Sequence, residues 1–149
     1  MTTQAAALYW DDVTIGQELP RFARTTDLMN WNRWAATYDE FVPYHMDDEG
    51  ARENGQPAVI GQGRIRVSYL HTLVRRWIGE EGVILSLNAQ LRGINFKNDV
   101  LTCSGRVTDK RIDDRGQYIV ELELLITNQN GEAVTPGSAT VALPSRAGS

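Results

Sequence analysis

The chain of 149 residues contains only one cysteine and two histidines. A single cysteine cannot form an intramolecular disulfide or a cysteine-rich zinc site, which suits a reducing compartment. The longest apolar runs are a few residues, far short of the roughly 20 that cross a bilayer. The first twelve residues have neither the basic nor the apolar region of a secretion signal. We therefore expect a cytoplasmic protein with no membrane span.

Basic residues are also scarce. The chain has 15 Lys and Arg against 19 Asp and Glu, and its net charge is -4 at pH 7. Because non-specific nucleic-acid binding needs a broad basic surface, we expect no nucleic-acid partner. Hydrophobic residues make up 42% and charged residues 23%, as in soluble folded domains. We place one domain at residues 9–143, and we expect flexible tails at 1–8 and 144–149, where little can be buried.

The first half of the chain predicts helices. A short helix is predicted over residues 26–38, with the Thr26 side chain as its cap, and a helical turn is predicted over 46–53. The strongest helix covers residues 64–78, where apolar side chains recur at every fourth position and form a broad face. A face of this width indicates a helix that the rest of the domain encloses. The recurring apolar residues are Ile65, Tyr69, Leu73 and Trp77.

Beyond Gly79 the apolar period changes to two residues, which predicts strands. The alternation over 83–91 flips at Gly93, and a β-bulge or bend is predicted at Arg92-Gly93. Helices followed by strands indicate an α+β domain, in which a curled antiparallel sheet surrounds one helix. Such a sheet has edges to cover, so we expect an oligomer. The first strand places Val83, Leu85, Leu87, Ala89 and Leu91 on one face, and later strands follow at 101–112, 118–126 and 133–143, with hairpin turns at Asp113–Gly116 and Asn130-Gly131.

The segment around His45 is similar to that of a known family. Residues 38–51, read YDEFVPYHMDDEGA, precede residues 57–63, read PAVIGQG, and then the long helix. This order resembles the MaoC-like hotdog dehydratases, the R-specific enoyl-CoA hydratases. In that family a D-x-N-P-x-H element is followed by A-H-G at the start of the central helix. The similarity covers most of the chain, and Phe96 and Asp99 match a later Phe and acidic residue of the family.

Three positions depart from the family pattern. Glu40 stands where Asp is usual, Val42 where Asn is usual, and Gln62 where the His of A-H-G is usual. Pro43 and His45 match. The adjacent Asp39 could supply the carboxylate if the loop is shifted by one residue, although Glu40 keeps the family distance to the histidine.

The resemblance implies a single hotdog domain that dimerises and hydrates a trans-2-enoyl-CoA, or dehydrates a 3-hydroxyacyl thioester. It implies that Glu40 and His45 activate water, with Asp39 as the alternative carboxylate. Gly63 would hold the thioester oxygen with its backbone N–H, and Gln62 would lie near the acyl group. The reaction of such a hydro-lyase needs no metal or redox cofactor, and coenzyme A is part of the substrate.

Two other functions share this fold. A hotdog acyl-CoA thioesterase also uses a carboxylate to activate water, although the His five residues after Glu40 favours a hydratase. A non-catalytic subunit could instead complete the acyl-CoA site of another MaoC-like chain, so the oligomer could be a homodimer, a higher oligomer or a heteromer. Without the family resemblance, His71 and the aromatic residues before the site are interpreted as structural, although the aromatics could also wall an acyl pocket. These aromatic residues are Trp31, Trp34, Tyr38 and Tyr44.

Overall fold

The computed structural model describes residues 7–148. Eight helices and strands of four residues or more carry the fold, and three short 3-10 turns accompany them. In chain order they are β1 (Phe22–Thr25), α1 (Leu28–Tyr38), the 3-10 turn Pro43–His45, α2 (Asp48–Glu53), α3 (Gly63–Ile78), β2 (Val83–Ala89), β3 (Val100–Ile112), β4 (Tyr118–Thr127) and β5 (Ala133–Ala142), with further 3-10 turns at Trp10–Asp12 and Arg146–Gly148.

The five strands form one antiparallel sheet in the order β1-β3-β4-β5-β2. The sheet curls around α3, whose buried face supplies a large part of a single hydrophobic core. Burying an apolar face of this width stabilises both the helix and the sheet. The predicted α+β hotdog architecture is therefore confirmed. None of the helices within residues 7–148 combines the length and apolarity needed to cross a membrane.

The predicted cap of α1 was wrong by one residue. The Asp27 carboxylate accepts from the Asn30 backbone N–H at 2.8 Å, and the Asn30 side chain accepts from the Asp27 N–H at 3.3 Å. This reciprocal pair is a capping box. Thr26 is fully buried instead, and its hydroxyl lies 3.2 Å from the Asp99 carbonyl oxygen and 3.3 Å from that of Phe96. The threonine therefore joins α1 to the loop before β3.

The predicted inner face of β2 is also corrected. The pairing register with β5 shifts between Ile84 and Ser86, upstream of the predicted irregularity. The extra residue reverses which side chains face inward. Ile84 packs on the core before the shift while Val83 and Leu85 are exposed, and Leu87 and Ala89 pack on the core after it, as predicted. The predicted bend at Gly93 is present, with a φ of 62°. Both predicted hairpin turns are also present.

The two ends of the described range, residues 7–148, contact each other. The Trp10 N–H donates to the Pro144 carbonyl at 2.8 Å, and the Arg146 guanidinium donates to both oxygens of Asp12 at 2.8 and 2.7 Å. The described residues of the predicted C-terminal tail thus contact the start of the domain. Residues 1–6 and 149 of the predicted tails lie outside the described residues, and the domain bounds 9–143 stay a prediction.

Candidate active site

The candidate carboxylates lie at the end of α1. Asp39 ends this helix in the left-handed conformation, with a φ of 53°, and the Ala35 carbonyl accepts from the Glu40 N–H at 3.0 Å. Asp and Asn tolerate this conformation better than most other non-glycine residues. Both Asp39 and Glu40 are exposed. Pro43 then starts the 3-10 turn that carries His45, because proline favours the first positions of a helix.

His45 is anchored by a backbone carbonyl. Its ring Nδ1 lies 2.7 Å from the Ile60 carbonyl oxygen, and the Ile60 N–H donates to the Tyr44 carbonyl at 3.2 Å. A carbonyl oxygen only accepts, so this contact requires the proton on Nδ1. In the neutral ring Nε2 is then an acceptor. The histidine is half-buried, and its ring meets the Tyr44 ring edge-on at 4.3 Å.

Glu40, like His45, lies near the start of α3, where it pairs with Arg64. The Glu40 carboxylate lies 4.0 Å from the guanidinium of Arg64, which is in the first turn of α3, whereas His45 is bonded to Ile60 just before that helix. Both predicted catalytic side chains therefore come to the start of α3. No direct hydrogen bond joins them within residues 7–148.

The start of α3 has no side-chain cap. Gln62 occupies the N-cap position without a capping hydrogen bond, and the first turn contains no acidic residue. The first backbone N–H groups of a helix have no partner within the helix, and the helix dipole adds partial positive charge there. The N–H of Gly63 belongs to this set. This end of α3 can therefore stabilise a developing negative charge.

Gly63 packs against Leu91. A Cβ added at position 63 would lie 2.5 Å from Leu91 Cδ1, which is closer than side-chain atoms approach. A glycine generally lets a substrate approach the backbone closely, but here a leucine methyl group occupies the space. Leu91 itself is 48% exposed, so its side chain can turn away from the glycine.

The Gln62 side chain is buried and contacts α1. The residue is 5% exposed, and its side-chain Nε2 donates to the Trp31 carbonyl at 3.2 Å. Its Oε1 is buried and has no partner. Gln62 therefore ties the start of α3 to α1, and this contact uses one of the two N–H donors of its amide.

The loop of residues 91–96 supports the site, and the sequence interpretation missed this role. The Gly61 N–H donates to the Asn95 carbonyl at 2.8 Å, and Ile60 pairs with Phe96 in an isolated antiparallel bridge. A Cβ at position 61 would lie 2.7 Å from both Trp31 and Asn95. The Gly-x-Gly pattern was the available sequence signal, but it did not show which residues pack against either glycine.

Asp99, which matches the acidic residue of the family, stabilises this loop. Its carboxylate accepts from the Phe96 N–H at 2.8 Å and from the Gln129 side chain at 2.9 Å. It is buried and faces the loop. Within residues 7–148 no three His, Cys, Asp or Glu side chains are grouped so that they could hold a metal ion.

An open groove of about 440 Å³ runs along α3. The Trp34 and Tyr38 rings pack against each other on one side, with centroids 4.6 Å apart and planes tilted by 33°. Arg64, the ion-pair partner of Glu40, lies in its wall. His71, interpreted from the sequence as structural, is exposed and also lines it. The lining residues are Trp34, Tyr38, Arg64, Val67, Ser68, His71 and Leu87.

Most of the chain is similar to solved hydratase structures. The (R)-hydratase from A. caviae involved in PHA biosynthesis matches with a TM-score of 0.81 and 25% identity, over 89% of this chain and 98% of that one. The chain has the fold of the MaoC-like dehydratases and R-hydratases. The R-hydratase PhaJ1 from Pseudomonas aeruginosa matches this MaoC-like fold with a TM-score of 0.84 and 17% identity, over 94% and 88% of the two chains.

A chain of the ChsH1-ChsH2 complex from Mycobacterium tuberculosis is also similar in fold to this chain. It matches with a TM-score of 0.76 and 19% identity, over 88% of this chain and 98% of that one. No protein-family model and no curated protein matches the sequence. The predicted resemblance to MaoC-like hotdog proteins is thus confirmed by structure.

Proposed function

We propose that the protein is a hydro-lyase that adds water to a trans-2-enoyl-CoA, or removes it from a 3-hydroxyacyl thioester. The observation that carries the proposal is the placement of His45 and Glu40 at the uncapped start of α3. An imidazole, a carboxylate and unpaired helix amides are the groups that such a reaction needs. The R-hydratases with the same fold support this reaction class.

In the proposed reaction Glu40 and His45 hold one water between them. His45 orients the water through Nε2, because Nδ1 is engaged by Ile60. Glu40 takes one proton as the water oxygen bonds to C3 of the enoyl group, and the pair returns a proton to C2. The C2=C3 double bond is lost, and the thioester is retained.

Negative charge develops on the thioester oxygen during this addition, and the Gly63 N–H is the group proposed to bind it. This requires the Leu91 side chain to turn away from the glycine. Gln62 is assigned to holding the start of α3 rather than to binding this oxygen, because its side chain is buried and bonded to the Trp31 carbonyl. The proposed site uses no metal and no redox cofactor, and coenzyme A enters as part of the substrate.

The acyl group is assigned to the groove along α3. Trp34, Val67 and Leu87 give it apolar walls, which suit a hydrocarbon chain. Leu87 of the edge strand β2 lines this open groove, and Val83 and Leu85 of the same strand are 53% and 46% exposed. We propose that a second MaoC-like chain, identical or different, covers this edge and closes the groove.

The test is loss of enoyl-thioester absorbance on a panel of trans-2-enoyl-CoAs, short to steroid-sized, with wild type and His45→Ala. We expect consumption of at least one substrate without release of free thiol, and its loss in the variant. Circular dichroism establishes that the variant is folded. Release of free thiol would identify a thioesterase instead, and equal activity of the two proteins would contradict the role of His45.

A non-catalytic subunit of a heteromer is the second candidate function. The similarity to a chain of the ChsH1-ChsH2 complex supports it. This candidate predicts no turnover by the isolated chain on any substrate of the panel. Activity would then appear only when another MaoC-like chain is added. The same assay with and without such a chain separates the two functions.

A further inference from the structure

Arg66 is a buried arginine without an acidic partner. It lies in the first turns of α3 and is 4% exposed, and no carboxylate within residues 7–148 forms an ion pair with it. Its guanidinium donates instead to three backbone carbonyl oxygens: Arg92 at 2.9 Å, Val134 at 2.9 Å and Gly93 at 3.3 Å. Burial lowers the pKa of this guanidinium. The side chain thus joins α3 to the bend at Gly93 and to β5.

An apolar side chain at this position would avoid the cost of burying a charge. It could not, however, bind several carbonyl groups. The rigid fork of arginine presents several donors in fixed directions, so it specifies where three peptide groups lie relative to α3. The position of the loop 91–96 therefore depends on Arg66.

That loop in turn holds the residues next to the candidate site. Two residues beyond Gly93, the Asn95 carbonyl accepts from Gly61, and Phe96 pairs with Ile60. The Ile60 carbonyl binds His45 Nδ1 at 2.7 Å. One continuous set of contacts therefore runs from the Arg66 guanidinium to the His45 ring.

We propose that Arg66 is a positioning residue, which fixes the His45 ring through the loop 91–96. Its effect on turnover rests on the proposed function. Its effect on the His45 ring does not, because the hydrogen bond from Nδ1 to Ile60 exists in the protein without substrate. The two effects can be measured separately.

The test is NMR of the two histidine rings in the full chain, by long-range nitrogen-proton correlation. In the wild type, neutral His45 should carry its proton on Nδ1. Arg66→Met removes the guanidinium while keeping an unbranched chain, and we expect a mixture of the Nδ1 and Nε2 tautomers at His45. His71 should keep its wild-type signals, because it is exposed on α3 and outside this set of contacts.

The matched control is Val74→Ala, which removes buried apolar volume from α3 without touching the loop. It should lower the melting temperature and leave the His45 tautomer unchanged. If Arg66→Met does not fold, Arg66→Lys tests the same point. One ammonium group cannot bind all three carbonyls as the guanidinium does, so this variant should also give mixed tautomers at His45. An unchanged His45 tautomer in a folded Arg66 variant, or the same change in Val74→Ala, would overturn the proposal.

An activity measurement then adds the catalytic consequence. On an enoyl-CoA that the wild type hydrates, Arg66→Met should lower kcat at least tenfold with a smaller change in KM, and Val74→Ala should not. If the wild type hydrates nothing, the proposed function fails, while the NMR result still decides whether Arg66 positions His45. If the tautomer changes and kcat does not, the catalytic consequence is wrong.

Discussion

The Arg64 guanidinium lies 4.0 Å from the Glu40 carboxylate, and their side chains are 71% and 48% exposed. Ion pairs this exposed contribute about 0–1 kcal/mol to stability, because water and salt screen them. Arg64 therefore directs Glu40 toward the start of α3 without sequestering it. The carboxylate keeps an accessible oxygen for a water.

Replacing Glu40 with Gln should lower turnover by about 10² or more, the usual scale for losing an acid-base group. The amide is nearly isosteric, and the site is exposed, so the melting temperature should stay within about one degree of wild type. The measurement is kcat on the best enoyl-CoA of the panel.

Asp39→Asn is the matched control for this variant. It removes the neighbouring carboxylate, and Asn tolerates the left-handed conformation of residue 39, so the end of α1 is kept. Its turnover should fall much less than that of Glu40→Gln. The opposite ranking would assign the proton transfer to Asp39.

The two glycines before α3 should respond differently to alanine. At Gly61 the new Cβ meets the Trp31 ring and the Asn95 side chain at 2.7 Å, and both residues are buried. Overpacking of this kind costs about 1–3 kcal/mol. At Gly63 the new Cβ meets only the end of the half-exposed Leu91 side chain, so the cost should be below about 1 kcal/mol. Urea unfolding measures both values.

A double variant tests the contact between Gly63 and Leu91 directly. Leu91→Ala removes the methyl group that a Cβ at position 63 would meet. Added to Gly63→Ala, it should therefore recover most of the stability that the single glycine change loses. If the two substitutions changed the free energy of unfolding in urea in a strictly additive way, the contact between Gly63 and Leu91 would be contradicted.

Cys103 should be inert in the folded protein. It is fully buried in β3, and burial raises the pKa of its thiol to about 12, from about 8.5 in an unfolded chain. Because the thiolate is the reactive form, labelling by a maleimide at pH 8 should be at least tenfold slower in the native protein than in urea. Fast native labelling would show that β3 opens locally.

The same thiol should make the protein less stable at alkaline pH. A proton held more tightly in the folded state favours folding below the unfolded pKa, and this contribution is lost as the pH rises toward about 12. The free energy of unfolding should therefore fall more steeply above about pH 8.5 in wild type than in Cys103→Ala. Parallel curves for the two proteins would contradict the raised pKa.

Leu85→Lys should break the proposed assembly. Leu85 is 46% exposed on the edge strand β2, and a charge there opposes pairing with another chain without disturbing the core. Light scattering after size exclusion should show a smaller particle than wild type. Ile112→Lys, at an equally exposed residue of β3, is the control and should leave the mass unchanged. An equal effect of both variants would argue against β2 as the interface.

The long elements could be predicted from the sequence because their apolar periods are uninterrupted. β1 could not be predicted, because it has only four residues and one of its two inward positions holds Arg24. Its guanidinium carbon lies 5.8 Å from the Phe22 ring centroid and 5.0 Å from that of Tyr69, so a charged residue packs where the pattern requires an apolar one.

The candidate site could be predicted only where its residues lie close together in the sequence. Glu40 and His45 are five residues apart, and the family pattern shows both. The support for His45 is spread over residues 60, 66 and 91–96, and these contacts depend on tertiary packing. Arg66 in particular could not be predicted, because nothing near it in the sequence shows that three carbonyls face it.

The frame around His45 is made largely of main-chain atoms. The ring binds a carbonyl oxygen, Gly61 binds a carbonyl oxygen, and Ile60 pairs with Phe96 through the backbone. Such bonds constrain the neighbouring side chains chiefly at Gly61, where the backbone approaches Trp31 and Asn95, and at Arg66, which holds the loop. The other positions of this frame can be substituted while the imidazole keeps its place. A backbone carbonyl facing Nδ1 of a histidine ahead of a helix is therefore a geometric pattern that does not require the residue letters found here.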